Sequence, residues 1–206
     1  MSRFAEIAEE ISGSELNREL IPSTLKKIRE RLKTIFVRVE FSFILFLKKK
    51  SPVSQKEGSM NYNCKIVGEL GEDNKLWNYF EVEVPTATLC PCSKEISDFG
   101  AHNQRANVVL RVKSSEYISL KEMIRVVEER ASSDLFSILK RVDEKFMTEK
   151  MYENPKFVED IVRDVTLWAK SDTRITDFIV KCKSFESIHN HNAYAIIIND
   201  EKNANN

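Results

Sequence analysis

The sequence lacks an excess of charge of either sign, since 32 lysines and arginines balance 32 aspartates and glutamates. A chain without a strong net field gives no reason to expect a nucleic acid or an anionic membrane as its partner. We therefore predict no nucleic-acid partner and no membrane partner. Ligands are expected to bind locally, in a pocket.

The sequence also has no long apolar run, and we expect no secretory leader. The most apolar run, Phe41 to Leu47, is far shorter than the roughly 20 residues that a membrane-spanning helix needs. The charged start MSRFAEIAEE has no long apolar core of the kind found in signal peptides. We expect a cytoplasmic protein, whose four cysteines are reduced, metal-bound or catalytic rather than bridged.

Internal repeats and low-complexity linkers are absent as well. The 206 residues fall in the usual range for one domain or two small ones, and are enough to bury a sizeable core. We predict a single domain over residues 1–206, with a disordered polar tail over 201–206.

Helical spacing of apolar residues predicts helices over 2–11 and 22–32. A capping box at Ser119 and Glu122 predicts a long helix to about Lys140, and Asn154-Pro155 starts another. Alternating apolar residues predict strands over 34–48, 61–70, 75–84 (closed by Pro85), 106–112, 174–184 and 193–199. This order predicts an α+β fold, an antiparallel sheet with helices on one face.

The irregular segment TLCPCSKEISDFGAHNQR, residues 88–105, contains Cys90, Cys92 and His102. Thiolate and imidazole suit zinc or ferrous iron, and a carboxylate would add a third ligand and leave a position open for water. The spacing of Cys90 and Cys92 alone is weak support, because structural zinc sites favour two intervening residues and a second Cys or His pair.

A second cluster, SFESIHNHNAY, places Glu186, His189 and His191 within six positions. In extended backbone the two histidines would share one face. Alone they would be read as surface residues of a loop. The only other histidine, His102, lies in the first cluster, which favours one shared site, and imidazole is well suited to moving protons near neutral pH.

Three segments together, CPCSKEISDFGAHNQR, LKRVDEKFMTEKMYENPKFVEDIVRDV and SFESIHNHNAYA, closely resemble the signature stretches of type IB GTP cyclohydrolases. MSRF at the start and FLKKKSPVSQKEGSMNYNCKIVGE at 46–69 also look like family sequence, so the resemblance spans nearly the whole chain. It implies a tunnelling fold, in which a homo-oligomer (a dimer or a tetramer) completes a barrel and forms active sites at subunit interfaces. It also implies conversion of GTP into 7,8-dihydroneopterin triphosphate and formate, the first step of pterin and folate biosynthesis.

The resemblance implies roles for individual residues. Cys90, His102 and Glu144 would bind a divalent metal, which could be zinc, manganese or ferrous iron. By pattern alone, Glu144 and Glu159 would be solvated residues of a charged helix end. Substrate binding is implied for Glu186, which would anchor the purine, and for Glu159 and Arg105. Catalysis is implied for Cys90, His189 and His191, with His189 favoured for proton transfer.

Members of this family usually extend further before the MSRF segment, so a short N-terminus and an unpaired sheet edge are expected here. Two alternatives stay open. One is a related deazapurine-metabolising tunnelling-fold enzyme with a nucleophilic cysteine. The other is a shortened, inactive chain that keeps the fold. The arrangement of His102 with His189 and His191 favours the cyclohydrolase over the deazapurine enzyme.

Overall fold

A computed structural model describes residues 2–15, 17, 19–114 and 116–199 of the protein. Its helices are α1 (Ser2–Ile11), α2 (Leu20–Leu32), α3 (Pro91–Ile96), α4 (Leu120–Arg130), α5 (Arg141–Glu153) and α6 (Val158–Ser171). Its strands are β1 (Val37–Lys50), β2 (Glu57–Leu70), β3 (Leu76–Leu89), β4 (Asn103–Ser114), β5 (Ser133–Asp134), β6 (Ile175–Ser184) and β7 (Ala193–Asn199). None of these helices is long and apolar enough to cross a membrane. The predicted disordered tail, 201–206, lies outside the described residues.

The strands form one antiparallel sheet in the order β1-β2-β3-β4-β6-β7, and the short β5 pairs with β3. Side chains alternate along each strand, so that one face of the central strands is buried under α2, α4 and α6. Tyr62, Val82, Leu110 and Val180 represent this face in β2, β3, β4 and β6. The predicted α+β architecture, with helices on one face of an antiparallel sheet, is therefore confirmed.

A glycine lets α2 approach the sheet closely. A Cβ atom at Gly68 of β2 would lie 2.3 Å from Cγ2 of Ile21 and 2.9 Å from Cδ1 of Leu25. Both of these α2 side chains are buried. The position therefore requires a residue without a side chain.

Strand β1 forms one edge of the sheet and pairs only with β2 among the described strands. Apart from the buried Val37, its helix-facing residues are partly buried, whereas most of the residues opposite them on β2 are fully buried. The incompletely covered residues are Val39, Phe41, Phe43, Leu45 and Leu47. This sheet edge has no partner strand in the part of the chain that the structure describes.

The prediction of one long helix from Ser119 to about Lys140 is wrong. Helix α4 ends at Arg130, β5 follows, and a separate helix, α5, begins at Arg141. Ser119 is the N-cap residue of α4, but its side chain makes no capping hydrogen bond, and Glu122 pairs with Arg174 instead (2.8 Å). The helix α5 escaped prediction because it buries only two residues and therefore has almost no apolar periodicity.

The prediction that Pro85 closes the third strand is also wrong. Strand β3 continues to Leu89, and Pro85 lies opposite Asn107 of β4. Strand β2 pairs with β3 only as far as Glu83, so β3 has no β2 partner at Pro85. Proline, which has no N–H group to donate to a neighbouring strand, is tolerated there. The longer strand brings residues 86–89 up to the reactive segment.

Candidate functional site

Two predicted site residues are placed by the end of the β3–β4 ladder. Leu89 pairs with Asn103, and the backbone N–H of Cys90 then donates to the carbonyl oxygen of His102 (3.1 Å). The ladder is thus extended by one hydrogen bond beyond both strands. It fixes Cys90 and His102 opposite each other, although 11 residues that include a helix lie between them.

Helix α3 begins directly at this point, with Cys90 as its N-cap residue and Pro91 in its first turn. The backbone N–H of Ser93 donates to Sγ of Cys90 (3.4 Å). The Ser93 hydroxyl donates to the carbonyl of Cys90 (3.0 Å) and accepts from the N–H of His102 (3.2 Å). Ser93 therefore ties the partly buried Cys90 to His102, while Cys92 is exposed.

A cleft of about 220 Å³ opens beside these two residues, between the end of β3, the start of α6 and the segment before β7. Six of the eight predicted site residues line it: Cys90, His102, Glu159, Glu186, His189 and His191. The other lining residues are Thr88, Gln104, Lys156, Phe157, Val158, Ser184 and Ala193. The structure therefore joins segments that lie up to about a hundred residues apart in the sequence.

Gln104 lies at the centre of the polar contacts in this cleft and was not singled out from the sequence. Its Oε1 lies 3.0 Å from Nδ1 of His102. Its Nε2 donates to the hydroxyl oxygen of Thr88 (3.0 Å) and to Oε1 of Glu186 (3.4 Å). The Ser184 hydroxyl donates to the same carboxylate oxygen. The alternation of side chains was one signal in the sequence. If the strand predicted from residue 106 begins near 102, residues 102 and 104 lie on the same face.

The three imidazole rings form a row. The rings of His102 and His189 meet edge to face with 6.2 Å between centroids, and those of His189 and His191 stack at 5.2 Å. The backbone over 187–191 forms bends rather than an extended strand, so the two later rings meet because the chain turns. Both are exposed to solvent at the mouth of the cleft.

Two predicted site residues lie elsewhere in the protomer. Glu144 is exposed in the first turn of α5, and its carboxylate has no hydrogen bond or ion pair to any described residue. Arg105 is exposed and lines a separate cavity with Gln104, Asn107, Phe185 and Ser187. Within the described ranges, no group of three or more His, Cys, Asp and Glu side chains is arranged to hold a metal ion. The cleft of one protomer therefore offers Cys90 and His102 as ligands and needs further ones.

The other two cysteines face the hydrophobic core. Burial raises the pKa of Cys64 to about 11, and a hydrogen bond donated to its sulfur by the backbone of Leu45 opposes the shift. Burial, reinforced by the negative charge of Glu159, raises the pKa of Cys182 to about 12. Both thiols are protonated at neutral pH and buried, so neither is a candidate ligand or nucleophile.

The charge of the cleft does not match a polyanionic ligand. Its lining contains two carboxylates and one Lys or Arg side chain, Lys156. That ammonium group already pairs with Asp164 at 2.6 Å. A triphosphate would therefore need cations from outside this cleft.

Residues 1–195 match the family described as Type I GTP cyclohydrolase folE2. The chain belongs to the FolE2 family. Its relatives include the GTP cyclohydrolase FolE2 of Syntrophobacter fumaroxidans, 48% identical over 197 residues, which are 96% of this chain and 76% of that protein. The FolE2 proteins of Desulfosudis oleivorans and Thermosipho melanesiensis are each 47% identical, over 96% of this chain and 75% of their own length.

Among solved structures, the uricase of Arthrobacter globiformis resembles this FolE2-family chain, with a TM-score of 0.52. The match covers 100% of this chain and 78% of the uricase chain at 9% sequence identity. At this identity the similarity concerns the fold alone. It confirms the expected tunnelling fold, of which this chain is one open sheet.

Proposed function

We propose that this FolE2-family chain is a type IB GTP cyclohydrolase, which hydrolyses the guanine ring of GTP to give 7,8-dihydroneopterin triphosphate and formate. The observation that carries the proposal is the convergence of a thiol, three imidazoles and two carboxylates in one cleft. Membership in a family of type I GTP cyclohydrolases supports it. The activity would be the first step of pterin and folate biosynthesis, in the cytoplasm.

Glu186 is the residue proposed to recognise guanine. An ionised carboxylate only accepts hydrogen bonds, and the adjacent N1–H and 2-amino groups of guanine are two parallel donors that adenine does not offer. The Ser184 and Gln104 side chains both donate to Oε1 of Glu186 and so orient the carboxylate, while Oε2 accepts no hydrogen bond from a described residue and can face the base. Selection of guanine over adenine would follow from this geometry.

Cys90 and His102 are proposed as two ligands of a divalent metal. Thiolate and imidazole suit zinc and ferrous iron, and a carboxylate ligand would also admit manganese. The fit is supported by the contact of the His102 Nδ1 atom with Gln104, which leaves Nε2 to face a metal. A bound divalent cation makes water nucleophilic near neutral pH, as attack on C8 of guanine requires.

Glu144 is proposed as the third ligand, supplied by a neighbouring subunit. In its own protomer it lies outside the cleft with a carboxylate free of described partners. The chain would thus form a homo-oligomer, a dimer or a tetramer, with sites at subunit interfaces. The shortage of cations in the cleft supports the same arrangement, in which Arg105 is a candidate for the triphosphate.

Proton transfer is assigned to the row of imidazoles. His189 lies between the other two rings and would protonate a ring nitrogen of guanine as its bond to C8 breaks. His191 stacks on His189 at the solvent side and would exchange the proton with water. Glu159, at the start of α6, is proposed as a further substrate contact.

The test is formation of the fluorescent pterin from GTP by the purified chain, stripped of metal and then supplied with zinc, manganese or ferrous iron. We expect a metal-dependent signal that is lost in Cys90→Ala and in Glu186→Ala. Cys64→Ala is the matched control, because that buried thiol lies outside the cleft. A folded, assembled protein that forms no pterin with any of these metals would contradict the proposal.

A further inference from the structure

The contacts of Gln104 are set by the charge of Glu186. An ionised carboxylate accepts hydrogen bonds and cannot donate, so the amide NH₂ group of Gln104 must face Glu186. The amide oxygen then faces Nδ1 of His102 (3.0 Å). A carbonyl oxygen only accepts, so this contact favours the tautomer of the neutral imidazole with its proton on Nδ1, from which the Ser187 hydroxyl at 3.5 Å can also accept.

These two contacts of Gln104 determine which nitrogen of His102 carries a lone pair. With its proton on Nδ1, His102 has a lone pair on Nε2, the form in which a neutral imidazole binds a metal. Hydrogen-bond partners of metal-binding histidines fix the tautomer and the ring orientation in this way. Gln104 therefore links the residue proposed to bind guanine to a residue proposed to bind metal.

We propose that Gln104 is a positioning residue that links the hydrogen bonds of the Glu186 side chain to the orientation and tautomer of His102, and so couples guanine recognition to metal binding. The inference rests on the proposed function, which identifies guanine and a divalent metal as the two ligands. It adds that Glu186, which is not itself a metal ligand, controls metal affinity. It also adds that the two binding events depend on one amide group.

Loss of the carboxylate charge gives a defined consequence. In Glu186→Gln the new side chain can donate to Gln104, which allows the Gln104 amide to rotate by half a turn. Its NH₂ group then faces Nδ1 of His102, which becomes the acceptor, and the imidazole proton moves to Nε2 through water. In that tautomer Nε2 has no lone pair for a metal.

The experiment measures the zinc dissociation constant of the assembled protein by competition with a chromogenic chelator. The variants are Gln104→Leu, Glu186→Gln and the double variant. Asn63→Leu is the matched control, because its amide also donates to a carboxylate, that of Glu83 (3.0 Å), and lies away from the cleft. Thermal unfolding of each metal-free protein reports whether the fold is kept.

We expect Gln104→Leu to weaken zinc binding ~10–100-fold, the usual effect of removing the partner of a metal-binding histidine. Glu186→Gln should weaken it in the same direction, although less. In the double variant the second change should add nothing to the loss caused by Gln104→Leu, because both act through the same contact. Asn63→Leu should bind zinc as tightly as the unaltered protein.

Unchanged zinc affinity in a folded Gln104→Leu protein would overturn the inference, as would losses that add fully in the double variant. Cys90→Ala separates this outcome from failure of the proposed function. If Cys90→Ala loses zinc and Gln104→Leu keeps it, only the role of Gln104 is wrong. If Cys90→Ala binds zinc normally, the proposed metal site fails and the inference fails with it.

Discussion

At the residue scale, burial divides the four cysteines into two classes. Cys64 and Cys182 are buried with raised pKa values of about 11 and about 12, whereas Cys90 is partly buried and Cys92 is exposed. We predict that iodoacetamide at neutral pH alkylates Cys92 and metal-free Cys90 while the two buried thiols stay unmodified, because alkylation needs an accessible thiolate. Peptide mass spectrometry would identify the sites.

In denaturant all four cysteines should react, which shows that the difference comes from the fold. Added zinc should protect Cys90 more than Cys92. Alkylation of Cys182 in the folded protein at a rate like that of Cys92 would contradict the prediction.

At the element scale, a buried carboxylate joins α5 to the β1–β2 turn. Asp143 accepts hydrogen bonds from the backbone N–H groups of Val53 (2.9 Å), Ser54 (2.8 Å) and Lys140 (2.8 Å), and from the Ser54 hydroxyl (2.6 Å). Burial acts to raise the pKa of Asp143, but the hydrogen bonds from Ser54, Lys140 and Val53 outweigh it and hold the pKa well below its usual value. The ionised form therefore stabilises this junction.

The pH dependence follows from the sign of that shift. A carboxyl whose pKa is lowered by folding contributes fully above its unfolded value of about 3.9, and the contribution is lost as the pH falls through the folded pKa. We predict that Asp143→Asn lowers the melting temperature by several degrees at pH 7, with a smaller difference at pH 3. Thermal unfolding followed by circular dichroism would measure both, with the exposed Glu149→Gln of the same helix as control. A pH-independent difference would contradict this account.

The contact between α2 and β2 gives a second prediction at this scale. Gly68→Ala places a methyl group where Ile21 and Leu25 already lie, so we expect a loss of roughly 1–3 kcal/mol in unfolding free energy. Denaturant titration would measure it. Gly71→Ala is the control, because its nearest neighbour is the side chain of Asp73, which can move into solvent. Equal effects of the two substitutions would mean that the close approach of α2 is not the cause.

The elements also show what local sequence could predict. The alternation from Val37 to Leu47 predicted β1 because one face of that strand packs on helices. Helix α5 was missed because its main buried anchor, Asp143, is polar and is held by hydrogen bonds from a distant turn. Gln104 was missed for a similar reason, since its role depends on contacts with Thr88 and Glu186 that only the folded sheet creates.

More of the site residues were predicted than local patterns allow. The family resemblance assigned roles to residues whose spacing alone predicted none. Six of the eight predicted residues meet in one cleft. Glu144 and Arg105 lie outside it. A sequence pattern cannot show which residues of a neighbouring subunit would complete the proposed site. Their roles stay predictions.

At the scale of the whole molecule, a site shared between subunits predicts complementation. Cys90→Ala and Glu144→Ala should each be inactive alone, but mixed oligomers would contain some sites with both ligands intact. Random reassembly of equal amounts should restore about a quarter of the sites if the two ligands come from different subunits of a symmetric oligomer. Pterin formation after joint refolding would measure this. No recovery, from oligomers shown to be mixed, would place both ligands in one subunit.

The helix-free face of the sheet has a consequence for such an assembly. It carries cross-strand charges: Arg38 pairs with Glu69, and Lys65 lies 3.8 Å from Glu40 and 3.6 Å from Glu81. In a barrel with the helices outside, this face would line the interior, and charged side chains of both signs retain water. The part of the interior lined by these charges would then stay hydrated, and cohesion between subunits would come mainly from the paired strand edges, which makes assembly sensitive to changes at β1 and β7.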